Sequence, residues 1–208
     1  MGDWSVKRSS VLFILCLMMA VVFTSCMPVN QSDYHAMKQK SEQKETLERQ
    51  LSELKAAYKS MKQNLKSEID AQRIQIEQLS EREVKVTMPQ DVLFPSASIV
   101  IDEPGRDVLG KVAVSLRQAP DTSIRIVGHT DLLPITRPEL KQRFTDNWEL
   151  SAARAAAVAR VFIWGENISD ERVQVVGRSH AEPIDDNRTE KGRAKNRRIE
   201  IFLEQPAQ

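Results

Sequence analysis

Hydrophobic and polar positions divide the chain into three stretches of different period. Residues 11–23 (VLFILCLMMAVVF) are uniformly apolar and follow Lys7 and Arg8. A membrane-spanning helix needs about 20 apolar residues and a secretory core only ~7–15, so this run predicts a cleavable export signal. From residue 36 to 84 the chain is polar, with apolar positions at Met37, Leu47, Leu51, Leu54, Tyr58, Met61 and Leu65. These follow the 3-and-4 spacing of a heptad seam, with Lys40 and Lys44 filling the gap after Met37. Beyond Leu65 the steps run through Ile69, Gln72, Ile76 and Leu79, and two consecutive steps of four mark a stutter. The pattern predicts one long helical tether ending near Glu83, either self-associating as a homodimer or standing as a single solvated helix. From Ala36 it would reach roughly 70 Å if helical throughout.

After residue 84 the period alternates between two and 3.6. Strands are predicted at residues 84–94, 124–128, 173–177 and 198–203, and helices at 103–117, from 147 to about 164, and at 189–194. Asp102 and Pro104 open the first of these helices, and Asp146 with Glu149 makes a capping box for the second. The β-α-β-α-β-β order is that of an α+β sandwich with helices packed on one face of a mixed sheet. The chain thus divides into a signal (1–25), a linker (26–35), a helical tether (36–84), a globular domain (85–204) and a tail (205–208). About 120 residues suffice to bury one core.

Within the second helix one residue breaks the pattern. Leu150, Arg154, Val158 and Val161 share a face, so Arg154 stands in the apolar stripe, where a guanidinium needs a partner. Asp131 is the natural candidate, carried to the sheet edge by the alternating strand before it. Two readings fit: a structural ion pair that orients the helix, or a split site for a zwitterion, the acid taking an ammonium and the arginine fork a carboxylate.

Three ordered motifs carry a resemblance: Gly128-His129-Thr130-Asp131, the run from Asn147 to Ala155 (NWELSAARA), and the run from Gly192 to Ile201 (GRAKNRRIEI). Together they resemble the OmpA-like peptidoglycan-binding domain over residues 85–204, most closely its MotB-like branch. The resemblance implies the strand pairing of that fold. It implies that Asp131 and Arg154 grip the free amino acid end of diaminopimelate in the peptidoglycan stem peptide. It also places Thr130, Asn147, Leu150 and Arg197 along the same pocket. One departure is Ser179, which stands where the family's Gly-x-Gly-x-x-x-Pro pattern has a glycine, and which would strain at a positive φ. The loop at 132–146 has the length seen in stator-type relatives.

Phe23-Thr24-Ser25-Cys26 resembles a lipobox, which implies lipidation at Cys26 and a periplasm-facing outer-membrane lipoprotein, the residue after the cysteine being Met27 rather than Asp. The competing expectation is an uncleaved inner-membrane anchor, as in a MotB-like stator, although residues 11–29 contain no Asp or Glu to carry an ion.

Composition narrows the chemistry. The 208 residues carry a net charge of +1, so no overall field favours nucleic acid. The local run Arg188, Lys191, Arg193, Lys195, Arg197 and Arg198 suits an anionic wall polymer better than a nucleic acid in an exported chain. His35, His129 and His180 lack a His-x-x-x-His spacing, no Cys-x-x-Cys occurs, and Ser151 and Ser179 lack a G-x-S-x-G elbow. The expectation is a binding protein with no metal, no cofactor and no catalytic residue.

Overall fold

The computed structural model describes residues 30–205. The signal, Cys26 and the last three residues lie outside the described residues. Contacts divide the chain into one unit up to Thr46 and a second from Leu47 onward. The described part of the first unit is exposed helix, with Lys38 Nζ 3.9 Å from Glu42 Oε1 and Thr46 Oγ1 donating to the Glu42 carbonyl at 2.8 Å.

Two helices begin the described chain: α1 (Gln31–Asn64) and the short α2 (Lys66–Asp70). Helix α1 starts at Gln31, inside the stretch read as linker. Its seam is not left free for a second copy over the later turns. Leu54, Ala57 and Met61, with Leu65 after the helix, are at most 1% exposed and belong to the main hydrophobic core. Ser115 Oγ donates to Ser60 Oγ at 3.0 Å, and Lys111 Nζ lies 2.5 Å from Glu68 Oε1, so polar contacts flank the same apolar stripe. A heptad spacing reports an apolar face without naming its partner.

The expected helix to Glu83 is corrected too. Gln72 adopts φ 57°, and the chain turns into β1 (Gln75–Ser80), which pairs antiparallel with β2 (Glu83–Pro89). Five of the six β1 residues are exposed, so the strand carries no clean alternation, and its turn lacks an Asn-Gly or Asp-Gly signal. Ile76 and Leu79 therefore kept a helical spacing by coincidence, while backbone pairing with β2 decides the conformation. Only Ile74 is fully buried there.

The remaining elements follow the predicted order, with one unpredicted helical turn (Pro138–Lys141) inside the 132–146 loop. They are α3 (Glu103–Leu116), β3 (Ser123–Gly128), α4 (Pro138–Lys141), α5 (Asn147–Arg160), β4 (Val173–Gly177), α6 (Glu190–Asn196) and β5 (Arg198–Glu204). The mixed five-stranded sheet runs β1-β2-β5-β3-β4, with β3 and β4 parallel and the other pairs antiparallel. The last strand thus occupies the centre, and all but its final residue are buried. Val84, Val86, Met88, Ile124, Ile126, Ile199, Ile201 and Leu203 face the helices, as period two requires. The opposite face carries Lys85, Thr87, Arg125, Arg198, Glu200 and Phe202.

The end of β3 is held against α5 by the absence of a side chain. A Cβ on Gly128 would lie 2.1 Å from the Ser151 carbonyl oxygen, so only glycine permits this approach. The residues that follow Gly128 are thereby delivered beside the first turns of α5.

Candidate functional site

Local signals aim the site. Asp146 Oδ1 accepts from the amides of Trp148 (2.8 Å) and Glu149 (3.1 Å), fixing where α5 begins. Glu149 reaches back to the Thr145 amide at 2.6 Å, one residue earlier than a standard capping box. Past β3, the His129 amide donates to the Arg198 carbonyl and the Thr130 amide to that of Ser179, so the strand direction continues up to Asp131. Ser179 adopts φ 52° and is fully buried, its amide held by Ser151 Oγ at 3.1 Å. The loop keeps a left-handed residue where the sequence offers serine.

All six residues expected at the site line one cleft of about 420 Å³: Thr130, Asp131, Asn147, Leu150, Arg154 and Arg197. Their partners differ from expectation in one respect. Asp131 pairs with Arg197, Oδ2 to Nη1 at 2.7 Å, and its Oδ1 accepts from the Leu133 amide at 2.9 Å. Arg197 also reaches Glu190 Oε1 at 2.8 Å. Burial tends to lower the Arg197 pKa, but Asp131 and Glu190 outweigh it and raise the guanidinium above its ordinary value. Asn147 Nδ2 donates to the Leu133 carbonyl at 2.8 Å, pinning the start of the 132–146 loop to α5. Leu150 closes the floor with Ile99 and Leu140.

Arg154 lacks the carboxylate that its position in the stripe predicted. Among the described residues no acid lies within 4.0 Å of its guanidinium, which is bonded to Gln90 Oε1 and lies 3.4–3.5 Å from the Ser98 carbonyl. The Phe94 ring sits 5.7 Å away. Burial pushes Arg154 down to about 10, the Arg197 charge adds to the shift, and Asp131 opposes it. The group is still charged at neutral pH. A buried guanidinium gains most from a charge-assisted, two-pronged bond to an anion. Gln90, Ser98, Phe94 and Glu190 were not foreseen as parts of this arrangement. They come from the turn after β2, the loop that follows and α6, and no spacing in the sequence links them to position 154.

The OmpA family model matches residues 93–197, which contain all six expected site residues. This chain belongs to the OmpA family. The Escherichia coli protein "Probable lipoprotein YiaD" is 34% identical over 118 residues, covering 57% of this chain and 50% of YiaD. The structure of the cell wall anchor of the T6SS from Pseudomonas aeruginosa superposes with a TM-score of 0.63 at 33% identity, covering 70% of this chain and 97% of that one. A putative MotB-like protein from Desulfovibrio vulgaris superposes at 0.65 with 26% identity, covering 76% and 95%. The MotB-like resemblance in the motifs is therefore matched in three dimensions. The chain spans about half the length of the curated relatives it matches first. Among the described residues of this OmpA-family chain, no helix is long and apolar enough to cross a membrane, and no group of three His, Cys, Asp or Glu side chains is arranged to hold a metal ion.

Proposed function

We propose that this OmpA-family domain binds peptidoglycan non-covalently by gripping the zwitterionic end of diaminopimelate in the stem peptide. The observation that carries the reading is Arg154, a nearly buried guanidinium without a carboxylate, facing a cleft that also contains Asp131. A ligand carboxylate completes Arg154 as a bidentate pair, and the ligand ammonium joins the Asp131–Arg197–Glu190 chain on its acidic side. Both acids lining the cleft are held by Arg197, and binding is the whole of the chemistry proposed. The similarity to a cell wall anchor supports the same assignment.

Around this domain, the proposed protein is a Cys26-lipidated outer-membrane lipoprotein whose helix lets it tie the envelope to the wall. Its support is the lipobox-like Phe23-Thr24-Ser25-Cys26 and the similarity to YiaD. A stator component of a flagellar or related motor is the second reading, favoured by the MotB-like likeness. Intact mass of the mature amino terminus separates the two, since an acylated cysteine belongs to the first alone.

The decisive variant is Arg154→Ala. It is expected to lose co-sedimentation with purified sacculi, by roughly ten- to hundredfold in affinity, with its circular dichroism unchanged. Unchanged pelleting by the folded variant would remove Arg154 from the site. Asp131→Asn is expected to lose most of the distinction between a free and an acetylated diaminopimelate amine, measured by titration calorimetry, because a neutral amide offers no full countercharge. Equal wild-type affinity for both amines would sink the ammonium half of the pocket.

A further inference from the structure

A second cleft, larger than the first at about 640 Å³, lies on the far side of the Ile99–Leu140–Leu150 wall. Ile99 lines it and packs on Leu140 and Leu150, which line the first cleft, so the two hollows share one apolar partition. Helix α5 ends in a π turn (Val161–Gly165) that holds Trp164 out over this second cleft with 75% of its surface exposed. No other large apolar residue among the described ones is so open. Three exposed arginines, Arg106, Arg143 and Arg160, line the same hollow, and none has a carboxylate within 4.0 Å among the described residues. The acid present, Glu166, is engaged by Arg117 at 3.2 Å.

A flat indole face beside three unneutralised guanidiniums has a definite chemical complement. The apolar face of a pyranose ring, with its axial C–H bonds, covers an indole well, while its hydroxyls stay in water. Guanidiniums at the margin select carboxylates over neutral hydroxyls. A bare protein patch would satisfy the tryptophan, and a simple anion would satisfy the arginines. A sugar strand bearing acidic peptides satisfies both.

We infer that the Trp164 cleft is a second subsite for the wall polymer, taking a glycan segment on the indole and the carboxylates of a neighbouring stem peptide on Arg106, Arg143 and Arg160. The inference rests on the proposed peptidoglycan reading and extends it from one amino acid end to a stretch of polymer. Binding across the partition links two weak contacts on one ligand, which raises affinity without strengthening either.

The test compares a soluble stem tripeptide containing diaminopimelate with a tetrasaccharide carrying two such tripeptides, by titration calorimetry on the wild type, Trp164→Ala and Arg143→Ala/Arg160→Ala. All three side chains are exposed, so folding is not at stake. The wild type is expected to bind the tetrasaccharide form about tenfold more tightly than the tripeptide, the effect of one added charge-assisted contact. Both variants should lose that increment and keep the tripeptide affinity of the wild type. Equal wild-type affinity for the two ligands, or an increment that survives in both variants, overturns the second subsite while leaving the first intact. A wild type that binds neither ligand overturns the peptidoglycan reading and the second subsite with it.

Discussion

Arg154 and Arg198 are buried to nearly the same degree, 5% and 3% exposed, yet their surroundings are opposite. Arg198 has an internal carboxylate. Its Nε donates to Glu200 Oε1 at 2.8 Å, and its other nitrogens reach the carbonyls of Glu182 (3.1 Å) and Asn196 (3.4 Å). Glu200 in turn faces His129 at 3.4 Å, a contact too poorly aligned to count as a hydrogen bond for the ring. Arg154 has an amide oxygen, the Ser98 carbonyl at 3.4 Å and an aromatic ring, with no carboxylate within 4.0 Å among the described residues. A buried arginine paired with an internal carboxylate is part of the fold's support. One without a carboxylate, at the wall of a cleft, is what the proposed ligand site requires. Burial alone does not separate the two cases, and partner identity does.

The largest effects should come from forcing the two arginines to trade behaviour. Arg198→Ala strands Glu200 in the sheet face and is expected to destabilise the domain by about 3–5 kcal/mol in urea unfolding. Arg154→Met removes a charge that has no internal counterion and should leave stability within about 1 kcal/mol of the wild type. Comparable losses in both variants would show that the internal partners of Arg154 stabilise it as fully as Glu200 does Arg198.

Acid sharpens the contrast. Burial tends to raise the Glu200 pKa, but neighbouring His129 and Arg198 outweigh it and hold the carboxyl at about 2, below its ordinary 4.5. A carboxylate depressed in the folded state contributes stability that is fully present above the unfolded pKa and is lost as pH falls through the folded value. The contribution is on the order of 3 kcal/mol, present above pH 4.5 and gone near pH 2. Glu200→Gln should flatten the stability curve across that window, measured by urea melts at stepped pH. A wild-type slope retained in the variant would assign the acid sensitivity to another group.

The smallest expected change lies at Ser179, which joins the two regions by accepting the Thr130 amide at 2.8 Å while holding φ 52°. Ser179→Gly relieves a left-handed side chain and is expected to raise stability by up to about 1 kcal/mol, with ligand affinity unchanged. A loss on thermal melting would mean that the Oγ contact with His180, at 3.1 Å, outweighs the backbone strain.

Much of this molecule was fixed by local rules that the sequence displays openly. Caps at Asp102, Asp146 and Thr189 start helices where they were expected, because a side-chain oxygen satisfies amides only at a helix's first turn. Period two marked β3 and β5 as strands, and the apolar stripe of α5 exposed Arg154 as the residue out of place. The six expected site residues do meet in one cleft. Tertiary structure alone decided who partners whom. The α1 seam found its partner in the domain core, β1 became a strand because β2 offered an edge, and Asp131 went to Arg197 because α6 brought that arginine closer. Each of these depends on residues distant in sequence, and a single element's periodicity shows which face must be covered without carrying the identity of what covers it.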